Sequence, residues 1–135
     1  MSKVRWIPSP SILSEGPFVT TANFLDYPFS RGYIHITSKD VYSAPEFGAG
    51  FLSHPADLPP QIWSYKKVRE IMRRMQCCLG ECAPTHPLFP IGSAAACRDG
   101  FDPNESMKDI DYSEEDDLAI EEWVRGNVNT TWHSM

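Results

Sequence analysis

Histidine is the side chain in this 135-residue sequence best suited to general-base chemistry near neutral pH. The sequence has four histidines, and His133 differs from the rest because Trp132 stands beside it. A desolvating indole keeps an imidazole neutral and able to accept a proton. The residue types alone leave two interpretations of His133 open: a base that abstracts a proton, or part of a frayed chain terminus, which is the commoner role of such a position.

The other three histidines are expected in ordinary structural roles. His35 lies within a predicted strand, where a cross-strand pair on the solvent face is favoured. His54 and His86 each precede a proline, which predicts turns.

A zinc site is the second chemistry that the residue types allow. Cys78, Cys82 and Cys97, together with His86, have the right ligand types. Glycine and proline residues between them interrupt any helix that would align them, and no Cys-x-x-Cys pair occurs. We therefore expect no metal and reduced thiols at all four cysteines, the fourth being Cys77.

Two amphipathic helices are predicted, one on each side of a long loop. Between Pro59 and about Met75 apolar residues recur every three or four positions. Ser113 with an aspartate three positions on predicts a capping box and a second helix that ends at Gly126. The glycine- and proline-rich segment 76–107 exceeds the usual loop length, which indicates a functional loop, a docking surface or an incomplete domain.

Strands are predicted before the first helix. Residues 18–25 are β-branched and aromatic, and 33–37 alternate so that Ile34 and Ile36 share one face, which predicts a half-buried antiparallel strand. The segment 44–52 is expected to be extended and to return along the sheet edge. Its Gly48-Ala49-Gly50 lacks the third glycine of a phosphate-binding loop, so a plain turn is favoured there.

Composition excludes several classes of function. The net charge of −6 would repel a phosphate backbone, so nucleic acid is not an expected partner. No apolar run reaches the length of a bilayer span, and no apolar segment of a signal peptide follows the first residues. We expect an intracellular chain, cytoplasmic or peroxisomal, with no membrane contact. Residues 1–17 are expected to be a disordered lead-in and 18–135 the folded part.

Several segments occur in a specific order and spacing: Asn23–Ile36, Ala44-Pro45, Asp57, Trp63–Lys67 and Arg73–Met75. This pattern resembles the C-terminal substrate-domain region of the glucose-methanol-choline (GMC) flavoprotein oxidoreductases, and most of all that of the fungal alcohol (methanol) oxidases. Near the chain end, Trp123–Arg125 followed by Thr130–Met135 resembles the family's segment leading into its catalytic histidine.

The resemblance implies an α+β fold, with an antiparallel sheet and helices packed on one face, as part of an incomplete GMC substrate domain. It further implies FAD as cofactor and a small alcohol as substrate. His133 would be the base that takes the hydroxyl proton while a hydride leaves for the flavin, and Trp132 would shape the substrate pocket. The residues that bind the cofactor stay unknown at this point.

The sequence also departs from the family pattern. No G-x-G-x-x-G unit follows an N-terminal strand, so we expect the FAD domain to be missing or supplied by another polypeptide, and the chain alone to be inactive. An exposed apolar surface would then promote oligomers. The alternatives are a non-catalytic interaction module that docks on full-length relatives, or a truncated gene product. The identity of the alcohol, and whether the activity is that of an oxidase or a dehydrogenase, stay open.

Overall fold

Two helices and a two-stranded sheet make up the regular structure of the part of the chain that the structure describes. The computed structural model describes residues 19–102 and 106–129. Strand β1 (Tyr33–His35) and strand β2 (Glu46–Gly48) are followed by helix α1 (Leu58–Arg73) and helix α2 (Glu114–Asn127). One 3₁₀ turn precedes α1 and another lies between the helices. The α+β class is therefore confirmed.

The two strands form an antiparallel hairpin. Ile34 pairs with Phe47, Tyr33 with Gly48, and His35 with Glu46, so the predicted return of the chain along the sheet edge is confirmed. The predicted half-burial of β1 is wrong, because all three of its residues are exposed. Beyond the strand, Ile36 is 90% exposed. The apolar alternation is present, but no described element covers the face that it creates.

The strand predicted over 18–25 is wrong in its described part. Residues 19–25 contain no helix or strand, and Val19 and Phe24 are exposed. A β-rich composition forms a strand only where a neighbouring strand accepts its backbone hydrogen bonds, and no described segment does so here. Residue 18 and the expected disordered lead-in, residues 1–17, lie outside the described residues.

A buried carboxylate joins the segment before the hairpin to the start of α1. Asp57 accepts hydrogen bonds from the backbone N–H groups of Phe29 at 2.7 Å and Ser30 at 2.8 Å, and also from the Ser30 hydroxyl. The Ser30 hydroxyl in turn accepts from the backbone N–H of His54 at 3.0 Å. These hydrogen bonds hold the pKa of Asp57 below its ordinary value, with the Ser30 hydroxyl as the main cause.

The helices form close to their predicted positions. α1 carries Pro59 and Pro60 in its first turn. Backbone N–H groups in the first turn of a helix have no acceptor within the helix, so proline, which lacks this group, loses no hydrogen bond there. α2 begins after Ser113, and the predicted capping box with Asp116 is present. The helix runs one residue past Gly126, because a single glycine costs a helix only about 1 kcal/mol.

The core lies between the two helices. Its buried members are two residues from each helix: Leu58, Tyr65, Ile120 and Val124. Partly buried apolar side chains pack against them, among them Phe89 from the loop between the helices. Fully burying one such side chain contributes roughly 1.5–3 kcal/mol, so this contact is the main apolar stabilisation among the described residues.

Candidate functional site

The two residues predicted to form the active site, Trp132 and His133, lie outside the described residues. The structure does describe the helix that precedes them. At the end of α2 the backbone N–H of Val128 donates to the Val124 carbonyl at 2.9 Å, and the side-chain amide of Asn127 donates to the Trp123 carbonyl at 2.8 Å. The chain therefore leaves α2 from a hydrogen-bonded end, and it continues from there toward Trp132 and His133.

An aromatic cluster lies between the helices and contains Tyr65, His86 and Trp123. The hydroxyl of Tyr65 lies 2.7 Å from Nδ1 of His86, and their rings meet edge to face with centroids 6.0 Å apart. The Tyr65 ring also contacts the Trp123 ring at a centroid distance of 5.6 Å. The cluster joins α1, α2 and the intervening loop at one point.

His86 is held in its neutral form within this cluster. Burial is the main cause that lowers the pKa of His86, and the charge of Arg69 lowers it further against the opposing charge of Glu81. Burial also raises the pKa of Tyr65, so its hydroxyl keeps its proton. When that hydroxyl donates to Nδ1, the ring proton of His86 sits on Nε2.

From the sequence, His86 is expected in a turn, and no local pattern predicts a hydrogen-bond partner for it. The turn is confirmed, since His86 follows the 3₁₀ turn Ala83–Thr85. The hydrogen bond to Tyr65 was missed because the two residues are 21 positions apart. Local spacing signals do not extend over such a separation.

A buried ion pair fixes the loop between the helices to α1. The Arg69 guanidinium donates to both carboxylate oxygens of Glu81, at 2.5 and 3.0 Å, and the Arg98 backbone N–H donates to the same carboxylate at 3.2 Å. Both side chains of the pair are at least 95% buried. Burial raises the pKa of Glu81, but the hydrogen bonds and charge of Arg69 outweigh it and hold that pKa below its ordinary value.

A second polar group fixes the same loop to α2. Asp116 accepts from the Ser93 hydroxyl at 2.6 Å and from the Ser113 backbone N–H at 2.9 Å. Burial raises the pKa of Asp116, yet these hydrogen bonds hold it below its ordinary value. The described part of segment 76–107 is therefore irregular in backbone but fixed by polar contacts to both helices.

The described residues do not form a cradle for a dinucleotide. One cleft of about 680 Å³ lies within the hairpin, lined by residues such as Ile36 and Val41. Another, of about 330 Å³, lies beside Arg73 at the end of α1 and is also lined by Phe101 and Met107. Neither contains a residue of the aromatic cluster. The residues that line these two clefts thus do not fit FAD by themselves.

Metal-binding groups are dispersed in the described part of the chain. Among residues 19–102 and 106–129, no group of three or more His, Cys, Asp or Glu side chains is arranged so that it could hold a metal ion. All four cysteines lie in this part and are free thiols. None of the described helices has the length and apolarity needed to cross a membrane.

Comparison with known proteins identifies the family. The GMC oxidoreductase family matches residues 28–135, which is most of the chain. This chain therefore belongs to the GMC oxidoreductases, and the matched region is their C-terminal domain.

Similar proteins include several yeast alcohol oxidases. Alcohol oxidase 1 of Komagataella phaffii is 37% identical, in a match that covers 89% of this chain and 24% of the relative. The alcohol oxidase of Candida boidinii is 34% identical over 91% of this chain and 25% of the relative, and that of Pichia angusta 35% over 91% and 24%. The chain spans about a quarter of the length of these relatives.

Proposed function

We propose that this chain is the C-terminal, substrate-binding part of an FAD-dependent alcohol oxidoreductase that converts short primary alcohols to aldehydes. The observation that carries the proposal is the family match over residues 28–135, together with the similarity to alcohol oxidases across nine-tenths of the chain. Since the chain spans a quarter of those relatives, we propose that the FAD-binding part belongs to another segment or another polypeptide.

In this proposal His133 is the catalytic base and Trp132 shapes the substrate pocket. A neutral imidazole at this position takes the hydroxyl proton of the alcohol. FAD, when bound by its own domain, supplies the hydride acceptor. The location of both residues shortly after α2 supports this role, because α2 is fixed to α1 through Ile120 and Val124 and can position the segment that follows it.

The exposed hairpin supports the proposal that a further protein segment packs against this part of the chain. Ile34 and Phe47 lie directly opposite each other and are both exposed, as is Ile36 two positions after Ile34. Contiguous apolar surface of this kind is typical of a face that another protein segment covers. We propose that the FAD-binding part, or a neighbouring strand of the complete substrate domain, covers this hairpin.

The same exposed hairpin favours a second candidate function. A chain with an uncovered apolar sheet could dock on full-length relatives as a non-catalytic interaction module. The two functions differ in one measurable property, since only the first gives an alcohol-oxidising flavoprotein once an FAD-binding part is present.

The test is a chimera in which residues 28–135 replace the matched segment of Komagataella phaffii alcohol oxidase 1. We expect the chimera to bind FAD and to consume oxygen with a short primary alcohol, while the 135-residue chain alone binds no flavin and consumes none. Flavin absorbance and oxygen uptake measure both properties. A chimera that holds FAD but oxidises no alcohol would contradict the proposal and favour the interaction module.

A further inference from the structure

Two stretches of the loop between the helices run side by side in opposite directions. The backbone N–H of Glu81 donates to the Arg98 carbonyl at 2.8 Å, and the N–H of Phe101 donates to the Leu79 carbonyl at 3.1 Å. Between these bonds the two backbones nearly touch, because a Cβ on Gly80 would lie 2.6 Å from the Asp99 carbonyl oxygen. Residues 79–81 and 98–101 therefore run in opposite directions at close range without forming a regular strand pair.

The close approach of these backbones brings two cysteines near each other. Cys82 follows Glu81 and Cys97 precedes Arg98, so the two cysteines are the next residues on the same side of the Glu81–Arg98 hydrogen bond. A disulfide between them requires that their Cα atoms approach within about 7 Å of each other.

The environment of the two thiols agrees with this placement. Cys82 and Cys97 are both free and half-buried. Burial raises the pKa of Cys97 to about 11, and the Cys82 thiol is among the groups that contribute to the rise, as expected of two thiols at close range. The neighbouring Cys78 is engaged differently, with its thiol directed at the Gly80 carbonyl at 3.7 Å.

We propose that Cys82 and Cys97 are a redox-active pair that hydrogen peroxide oxidises to an intramolecular disulfide. The Cys82 thiolate attacks one peroxide oxygen, the O–O bond breaks, and a sulfenic acid and water result. The Cys97 sulfur then attacks the Cys82 sulfur, the S–S bond forms, the S–O bond breaks, and a second water leaves. The two thiols lose two hydrogens and two electrons in total, and the peroxide is reduced to two waters.

The disulfide would lock the segment that carries His86. Cys82 and Cys97 bracket the 3₁₀ turn Ala83–Thr85, His86 and Ser93, which make the contacts of this loop with both helices. Closing a loop of about 15 residues restricts the unfolded chain, so oxidation should raise the melting temperature by on the order of 10 °C. This inference does not depend on the proposed function, because the peroxide is added as a reagent.

The experiment treats the reduced 135-residue chain with hydrogen peroxide, blocks remaining thiols with N-ethylmaleimide, and maps the cysteines by mass spectrometry. Cleavage after Glu81 and Leu88 separates Cys82 and Cys97 from each other and from the Cys77–Cys78 pair. We expect one cross-linked product that joins Cys82 to Cys97, with Cys77 and Cys78 alkylated. Cross-links that chiefly involve Cys77 or Cys78, or Cys82 oxidised to sulfinic acid beside an alkylated Cys97, would overturn the proposal.

Matched variants separate the specific pair from a general effect of oxidation. Cys82→Ser and Cys97→Ser should each abolish the cross-link and the rise in melting temperature, whereas Cys77→Ser and Cys78→Ser should keep both. The same oxidation in urea provides the reference for an unfolded chain. A cross-link pattern in native buffer that equals the pattern in urea would also overturn the proposal.

Discussion

At the scale of single residues, the stability of the described part depends on the buried ion pair between Arg69 and Glu81. Both side chains are almost completely buried, and two hydrogen bonds join them. A protein with a buried ion pair of this kind is often no more stable than a variant in which apolar residues replace both partners. Loss of one partner alone is costly, because it leaves the other charge unpaired in a poorly solvated site. The cost of a single substitution therefore measures how well the site excludes water.

We expect Arg69→Met to lower the free energy of unfolding by about 3–5 kcal/mol, because Glu81 is left buried without its cation. Urea denaturation measures the change. Arg125→Met is the matched control, since Arg125 pairs with Glu121 on the exposed surface of α2, and its loss should cost under about 0.5 kcal/mol. Equal effects of the two substitutions would mean that the Arg69 site is solvated.

The neutral His86 predicts a specific pH dependence of stability. Its pKa is lower in the folded chain than in the unfolded chain, so the unfolded state binds the proton first as the pH falls. The stability that depends on the neutral ring is fully present above the unfolded pKa of about 6.5 and is lost as the pH falls from there toward the folded pKa.

We expect the free energy of unfolding to fall between about pH 7.5 and 5.5, and His86→Gln to reduce that slope. Urea denaturation at several pH values measures the slope, which separates proton linkage from the constant loss of the Tyr65 hydrogen bond. His35→Gln removes an exposed strand histidine and should retain the slope. A slope unchanged in His86→Gln would contradict the assignment of a buried neutral ring.

At the scale of the elements, the start of α2 is set by its capping box. The Ser113 hydroxyl accepts from the Asp116 backbone N–H at 3.2 Å, and the Asp116 carboxylate accepts from the Ser113 backbone N–H at 2.9 Å. Asp116 also accepts a hydrogen bond from the hydroxyl of Ser93, which lies in the loop between the helices. One carboxylate therefore both begins the helix and fixes the loop.

We expect Ser113→Ala to lower the free energy of unfolding by about 1 kcal/mol, because one N-terminal N–H loses its acceptor. Thermal or urea denaturation measures the loss, and the helix signal by circular dichroism locates it. Ser53→Ala, at an exposed turn residue, is the control and should change stability by less than about 0.5 kcal/mol. A loss in Ser113→Ala no larger than in Ser53→Ala would show that the cap does not contribute.

How much the sequence predicts differs from element to element for physical reasons. Both helices follow from local signals, namely the period of apolar residues and the Ser113 cap, and each was placed within two residues of its observed ends. The hairpin pairing also follows from alternation and turn residues. Whether the hairpin is buried does not follow from its own alternation, because burial depends on other segments that could cover it.

The loop shows the same limit more strongly. Its length indicates a functional loop, a docking surface or an incomplete domain. Its contacts join residues far apart in the chain, such as Arg69 with Glu81 and Ser93 with Asp116. Charge and hydroxyl residues are common on every surface, so nothing local distinguishes these partners. Trp132 and His133 lie outside the described residues, and their roles stay predictions.

At the scale of the whole molecule, apolar burial is unevenly distributed. The helices share a core, while the hairpin and its turn expose large side chains, including Ile36 and Tyr42 at 90% and 93%. The matched segment of the Komagataella phaffii relative, at 159 residues, is longer than this entire 135-residue chain. The relative therefore contains residues in this region with no counterpart here.

We expect the isolated chain to self-associate through the hairpin, and Ile34→Thr with Phe47→Thr to reduce that association. Threonine keeps the strand propensity and removes apolar surface, so the unfolding midpoint should change little. Sedimentation velocity and binding of a hydrophobic dye measure the effect. Leu118→Gln, at an exposed position of α2, is the control and should leave association unchanged. Equal association in both variants would exclude the hairpin as the contact.

The assignment of His133 as the base is tested most directly by anaerobic reduction of the flavin in the chimera that contains residues 28–135. With a short primary alcohol, His133→Asn should slow flavin reduction by at least about 10²-fold while flavin binding stays intact, because the hydroxyl proton loses its acceptor. In the chimera with His35→Gln, the alcohol should reduce the flavin at the same rate as in the unsubstituted chimera. Flavin reduction by the His133→Asn protein at that same rate would contradict the account.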